Sequence, residues 1–406
     1  MEDERNKPIS APQSQATLWG SFDEIRPYEA GEMKQAFNDL LNDRQFSVLL
    51  KGFVPWLPKS LRNGMLKLAF TGVKTPLDFQ LRFMKPIVNY IIRKKCDGIS
   101  FDESALPRDK QLRYTFVSNH RDIVLDSAFL DVLLIEKGYP TTVEIGIGDN
   151  LLIYPWIKRL VRMNKAFIVR RSLTPHEMIR SSQLMSQYIH YAVNEKNENI
   201  WIAQREGRAK DSDDRTQESV LKMLAMGGKG KLAEQLEDLN IVPLTISYEF
   251  DPCDYLKAKE FQQKRDNPRF KKSRQDDLDN MRVGIFGYKG HVHYHCAAPI
   301  NECMNELGKQ NLPKNDFYRA LAGQIDEQIH AHYRIYPNNY IALDKLNGDN
   351  ANASHYTEKD KQRFEKYLSE QLAKIDLPNK DEDFLTERML TMYANPLRNW
   401  LKTKGE

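Results

Sequence analysis

From about residue 110 to residue 300 the apolar residues of the chain recur in two alternating rhythms. Residues 112–118, 143–147, 167–169, 200–203 and 241–248 form short apolar runs with many β-branched and aromatic side chains, which predicts strands. Between them, 126–135, 154–163, 175–195, 216–226 and 231–239 show the spacing of amphipathic or buried helices. The 175–195 segment opens on Pro175 with Glu177 in its first turn, a helix start signal. Strands alternating with helices predict an α/β fold with a mainly parallel sheet flanked by helices. Beyond residue 310 the rhythm is helical only. Phe317, Leu321, Ile325 and Ile329 form one stripe within 316–333. Segments 336–346 and 357–375 follow, the second capped by Thr357 and Asp360, and a last helix at 384–401 is interrupted at Pro396.

The pattern divides the chain into a polar tail over 1–30, a basic helical region over 31–97, an α/β domain over 98–310 and a C-terminal helical extension over 311–406. Residues 251–281 are so highly charged that they predict a polar helix or an inserted loop. At 406 residues the chain can bury the core of one large or two ordinary domains. It has no apolar run of transmembrane length, and residues 1–17 lack the layout of a signal peptide. Cys96, Cys253, Cys296 and Cys303 include no Cys-x-x-Cys pair, which predicts free thiols in a reducing, cytoplasmic setting.

Sixty basic residues against 56 acidic ones leave a net charge of +4, too little to define a partner. The distribution is more informative. Residues 44–95 hold eleven Lys or Arg and one acid, Asp78, interleaved with Phe46, Trp56, Leu57, Met65, Leu66, Leu68 and Phe70. Basic and apolar residues so mixed suit short helices lying on a membrane surface, broken by Pro55, Pro58, Pro76 and Pro86. No nucleic-acid motif accompanies the charge, so no nucleic-acid partner is expected.

The candidate chemistry begins at residues 118–126, Ser-Asn-His-Arg-Asp-Ile-Val-Leu-Asp. His120 sits at a strand end with Asp122 and Asp126 following. An imidazole beside a carboxylate is the arrangement that takes a proton from an alcohol near neutral pH. His-Arg-Asp also occurs in kinase catalytic loops, but no Gly-rich loop, strand lysine or Asp-Phe-Gly accompanies it. Three further segments end strands in charged or turn residues. These are Lys165-Ala-Phe-Ile-Val-Arg-Arg171, Trp201-Ile-Ala-Gln-Arg-Glu-Gly-Arg208 and Ile241-Val-Pro-Leu-Thr-Ile-Ser-Tyr-Glu249. His291, His293 and His295 share one face of a late strand. No carboxylate partner is evident for them in sequence, so no metal is expected.

These four segments, in this order and spacing, resemble the four sequence blocks of the glycerol-3-phosphate and 1-acylglycerol-3-phosphate acyltransferase superfamily. The resemblance covers about residues 110–300. It implies that 98–310 is a catalytic domain, with His120 as general base and Asp126 or Asp122 orienting it. The family separates this His and Asp by four residues; here five lie between His120 and Asp126, and one between His120 and Asp122. The resemblance further implies that Arg171, with Arg170 beside it, binds the acceptor's phosphate. Glu206, Gly207 and Arg208 close the same pocket, and Pro243 and Thr245 shape an acyl-side wall. Strand alternation sends Arg170 and Arg171 to opposite faces, and the family's block selects Arg171. Where the family has Gly to open the second block this chain has Lys165, and Arg208 takes a place usually held by Thr. The expected reaction moves a fatty acyl group from acyl-CoA or acyl carrier protein to glycerol-3-phosphate, lysophosphatidate or a related lyso-lipid, with no cofactor. The enzyme would act as a peripheral protein on the cytoplasmic face of a membrane. A non-catalytic lipid-binding scaffold and an acyl-thioester hydrolase are the alternatives.

Overall fold

The computed structural model describes residues 22–53, 56–171 and 173–405. Seven strands form one sheet: β1 (Cys96–Asp102), β2 (Thr115–Ser118), β3 (Val143–Gly148), β4 (Ala166–Val169), β5 (Asn199–Ala203), β6 (Ile241–Tyr248) and β7 (Gly290–Cys296). Their order is β1-β7-β6-β2-β5-β3-β4. All neighbours are parallel except β6 and β7. The expected mainly parallel α/β sheet is present.

Helices cover both faces, which is why the central strands are apolar throughout rather than alternating. Val117, Ile200 and Ile241 point to one layer, with Tyr188 and Ile189 of helix Pro175–Asn194 and Leu321 and Ile325 of helix Lys314–Ala331. Phe116, Trp201 and Val242, one residue away in each strand, point to the other layer. There they meet Phe129 and Leu133 of helix Leu125–Glu136 and Val88 of helix Lys85–Lys95. Each such buried side chain contributes about 1.5–3 kcal/mol.

Several expectations are corrected. The stretch assigned to a polar tail lies outside the described residues up to residue 21, but Phe22 and Ile25 are buried in the core. The Ile25 carbonyl accepts from the Ile168 amide, so this segment covers the open edge of β4. Strand β1 begins within the region expected to be helical and precedes the first expected strand, because Gly98 and two Asp residues break its pattern. The charged 251–281 stretch, expected as a polar helix or an inserted loop, is helical, but as two helices, Asp254–Asp266 and Arg274–Phe286. The expected 231–239 helix shrinks to one turn, Glu234–Glu237. The last helix, Glu382–Lys404, runs through Pro396 without interruption. Its packing on helix Pro337–Asn347 through Leu390, Tyr393 and Leu397 outweighs the missing N–H.

Lys165 opens β4 with φ +61°, in the left-handed region. Glycine enters that region without steric cost, whereas a lysine there is strained. Here the strain is offset by three hydrogen bonds: Lys165 Nζ donates to Thr141 Oγ1 (2.9 Å), Thr142 Oγ1 (3.0 Å) and Glu198 Oε2 (2.7 Å). All of this lies at the amino end of β4. Lys165 is therefore a buried staple and not part of a site at the strands' carboxyl ends. Lys165→Met should lower the unfolding free energy by about 1–3 kcal/mol, the cost of unpaired buried polar groups. A denaturant titration showing unchanged stability would contradict this role.

Candidate active site

Strands β2, β3, β4 and β5 end side by side, and the residues that follow them line one cleft of about 360 Å³. This is the position at which open α/β sheets bind ligands. His120 comes from β2, Gly148 from β3, Arg171 from β4, and Glu206, Gly207 and Arg208 from β5. The far wall is supplied by Lys272, from the loop between the two helices that join β6 to β7, and by Asp277 of the second helix.

Local chemistry shapes the turn that carries His120. Asn119 is fully buried and ends β2 by treating its side-chain amide as a peptide. Its Oδ1 accepts from the Ile246 amide at 2.8 Å, and its Nδ2 donates to the Ile246 carbonyl at 2.9 Å. His120 Nδ1 lies 2.8 Å from Asp126 Oδ2. A carboxylate only accepts here, so Nδ1 carries the proton and Nε2 is left with its lone pair in the cleft. The same Asp126 oxygen also accepts from the backbone amides of Arg121 (2.6 Å) and Asp122 (3.0 Å). The edge of Trp201 packs against the imidazole with ring centroids 5.5 Å apart, and Trp201 Nε1 donates to Ser118 Oγ.

Asp122 has a different task. Its Oδ1 accepts from the amides of Val124 (2.9 Å) and Leu125 (2.8 Å) and starts the following helix. This side-chain turn absorbs the extra residue between His120 and Asp126. Burial pushes the Asp122 carboxyl above the ordinary aspartate range, and the neighbouring charge of Asp126 adds to the effect. Gly284 of helix Arg274–Phe286 permits this crowding, since a Cβ there would lie 2.2 Å from Asp122 Oδ2.

Arg171 and Arg170 diverge as strand alternation predicts. Arg171 Nη1 lies 3.4 Å from Glu206 Oε1 across the cleft. The guanidinium fits because position 148 is glycine; a Cβ would stand 2.7 Å from Arg171 Nε. Arg170 pairs instead with Glu24 of the segment along β4 and does not line the cleft, so its assignment to substrate binding is withdrawn. Arg208 donates from Nη2 to Asn280 Oδ1 at 2.7 Å, while its buried Nη1 has no partner. Gly207 takes φ +71°, a turn that brings Glu206 and Arg208 to the same rim. Five cations, Arg171, Arg205, Arg208, Lys210 and Lys272, thus line a space reached by one imidazole, an arrangement able to hold an anion beside a general base. Pro243 and Thr245 are buried and do not line the cleft. Thr245 Oγ1 donates to the Ile329 carbonyl, so the acyl-wall reading does not hold for them.

The three late histidines share a strand face but not a common centre. His293 bonds Ser100 Oγ, His295 bonds Asp102 Oδ2, and His291 bonds Glu249 Oε2. Burial lowers His293 to about 4, and the charge of Arg334 adds to that shift. Donor atoms of Asp97, Glu249 and His291 do cluster within 4.8 Å. The Arg363 guanidinium already bridges those two carboxylates at 2.9 and 3.0 Å, so this cluster has a cation of its own.

Sequence reasoning missed Arg121, Asp214 and Tyr333, which meet behind the His120 turn. Arg121 lies next to His120 in sequence, yet its partners are 93 and more residues away, beyond the reach of any local pattern.

Residues 102–247 match the family model described as Acyltransferase. No curated protein matches the chain. The matched segment holds β2 to β5, all of β6 but Tyr248, and every cleft residue contributed by β2, β3, β4 and β5, and it supports a relation of this segment to the glycerolipid acyltransferase superfamily. The match supports an acyltransferase activity for this domain. Asp126→Asn should lower its kcat about 10²–10⁴-fold, the range of a disabled general base. Asp122→Asn should cost less than about 10-fold, because asparagine caps helices nearly as well. Steady-state kinetics on the two variants decides between them, and the reverse ranking would remove Asp126 from its role.

Proposed function

We propose that the protein is an O-acyltransferase that moves a fatty acyl group from a thioester donor to the hydroxyl of glycerol-3-phosphate, lysophosphatidate or a related lyso-lipid. The observation that carries this reading is the His120–Asp126 pair, with Nε2 free in a cleft shared with Arg171 and Arg208. His120 Nε2 takes the proton of the acceptor hydroxyl as its oxygen attacks the thioester carbonyl. The new C–O bond forms, the C–S bond breaks, and the imidazolium returns the proton to the leaving thiolate. Asp126 keeps the imidazole in the productive tautomer throughout. Arg171 and Arg208 hold the acceptor phosphate, and the route needs no cofactor beyond acyl-CoA or acyl carrier protein as donor. Lys165 has no part in acceptor choice.

An acyl-transfer assay across glycerol-3-phosphate, lysophosphatidate and lyso-aminolipids, with both donor types, tests the reading directly. Arg171→Ala should raise the KM of a phosphate-bearing acceptor about 10–100-fold, as expected for one charge-assisted contact, with little change for the donor. Thioester hydrolysis that no acceptor accelerates would favour the hydrolase alternative.

We further propose that the enzyme works on an anionic bilayer, at the cytoplasmic face, where its four free thiols would stay reduced. Among the described residues no helix is long and apolar enough to cross a membrane. The N-terminal helices are two-sided. Phe46, Phe70, Val73 and Phe79 are buried in a local core with Phe37. Val48, Trp56, Leu61, Met65, Leu68, Ile87 and Tyr90 point outward, seven of the thirteen large apolar side chains exposed among the described residues. Leu61, Met65 and Leu68 form one stripe of helix Lys59–Ala69, beside exposed Lys59 and Lys67. Arg62 is not part of this face; it is buried and donates to Ser47. A near-surface cation is worth about 1 kcal/mol on an anionic leaflet, and the attraction fades within a Debye length. Neutralising Lys59 and Lys67 together should weaken liposome binding about 10–30-fold, and salt should weaken binding by the wild-type protein. Equal binding to neutral and anionic vesicles would return these helices to a purely structural cap.

A further inference from the structure

We propose that Asp214 is a positioning residue for the His120–Asp126 pair, and that Tyr333, from the C-terminal helical part of the chain, completes its setting. Asp214 touches nothing in the cleft. Its side chain is about 1% exposed, behind the His120 turn, and its Oδ2 gathers three donors. Arg121 Nη2 donates at 2.7 Å, Asn119 Nδ2 at 3.2 Å, and the Tyr333 hydroxyl also donates. The Asp214 carbonyl accepts from His330 Nε2 at 2.8 Å, and the Arg121 guanidinium lies over the Tyr333 ring at 5.8 Å.

Two of the three donors to Asp214 belong to the residues flanking His120. Asn119 and Arg121 are thereby fixed on both sides of the imidazole. Fixing the Arg121 side chain in the interior also fixes the direction of its peptide N–H, which points at Asp126 Oδ2. Arg121 is 5% exposed, so without Asp214 its charge would be buried without its ion-pair partner, with only Asp251 and Asp126 left to act on it. A guanidinium in that state moves toward water, and the Arg121 peptide moves with it. Asp126 then loses a donor and the imidazole loses its fixed tautomer. Asp214 follows closely on the Glu206-Gly207-Arg208 turn, whereas His330 and Tyr333 lie beyond the matched segment 102–247. The helical extension therefore serves the catalytic turn as well as the fold.

The kinetic half of this inference rests on the acyl-transfer reading, and the spectroscopic half does not. The test uses Asp214→Asn and Tyr333→Phe in the full chain, each checked for folding by circular dichroism. In ¹⁵N-histidine-labelled protein, the His120 resonances should show one tautomer in the wild type and averaging of the two in the variants. Asp214→Asn should lower kcat about 30–1000-fold and Tyr333→Phe about 3–10-fold, with both KM values within about twofold. The His120-dependent limb of the kcat/KM pH profile should shift in both variants. The charged groups facing that imidazole, Asp126 behind it and Arg171, Arg205, Glu206, Arg208, Lys210, Lys272 and Asp277 around the cleft, are altered in neither. If Asp214→Asn does not fold, Tyr333→Phe decides alone, since it leaves the Arg121–Asp214 ion pair intact. A folded Tyr333→Phe protein with unchanged kcat, pH limb and His120 tautomer overturns the proposal. A changed tautomer in a protein that acylates no acceptor supports the positioning role while the acyl-transfer reading fails.

Discussion

One oxygen atom governs the cleft. Asp126 Oδ2 is buried and accepts from the His120 ring and from two successive backbone amides. Those amides belong to a turn that cannot relax without moving the histidine, so base, orienter and turn form one unit. The unit is built where β2 ends, because the Asn119 side chain closes the strand against β6 and leaves the next residue facing the cleft. Neighbouring parallel strands end at the same level and bring Arg171 and Arg208 to that place. Sheet geometry does the gathering, and the turn sets the chemistry.

What could be read from the chain follows the range of the interactions involved. Helices with a strong apolar stripe, such as Pro175–Asn194, and strands buried on both faces, such as β6, announce themselves through local pattern. Strand β1 does not, since an edge strand with Gly98 needs little apolar character on either face. The residues of the cleft were legible because a family resemblance supplied their roles; alternation put Arg170 and Arg171 on opposite faces, and the resemblance selected Arg171. The choice between Asp122 and Asp126 was not, because it depends on whether a side-chain turn absorbs one residue. Lys165 stands out in sequence only as a departure from the family's Gly; the backbone angle at that position supplies the steric context. The Asp214 cluster joins residues from 119 to 333, a span that no local window contains.

The N-terminal helices show how composition can mislead about single residues while being right about a face. Eleven cations in 44–95 were one undifferentiated patch in the sequence. In the fold Arg62 is an internal tie between helices Arg44–Phe53 and Lys59–Ala69, and Lys59 and Lys67 remain on the surface. The apolar residues sort in the same way, with Phe70 facing inward and Leu68 outward.

The reversal of direction between β6 and β7 bears on how such a cleft can be remodelled. A crossover joining parallel strands must return to the opposite end of the sheet, which limits its length and course. The connection from β6 to β7 leaves and re-enters at the same end, the end where the cleft lies. It can therefore lengthen or shorten without disturbing strand register, and here it has become two helices and the loop between them, which supply Lys272, Asp277 and Asn280. That makes the hairpin a natural cassette. Exchanging it between related proteins would recut the mouth of the cleft while leaving the His120 turn in place, provided that a glycine is kept where the second helix crosses Asp122.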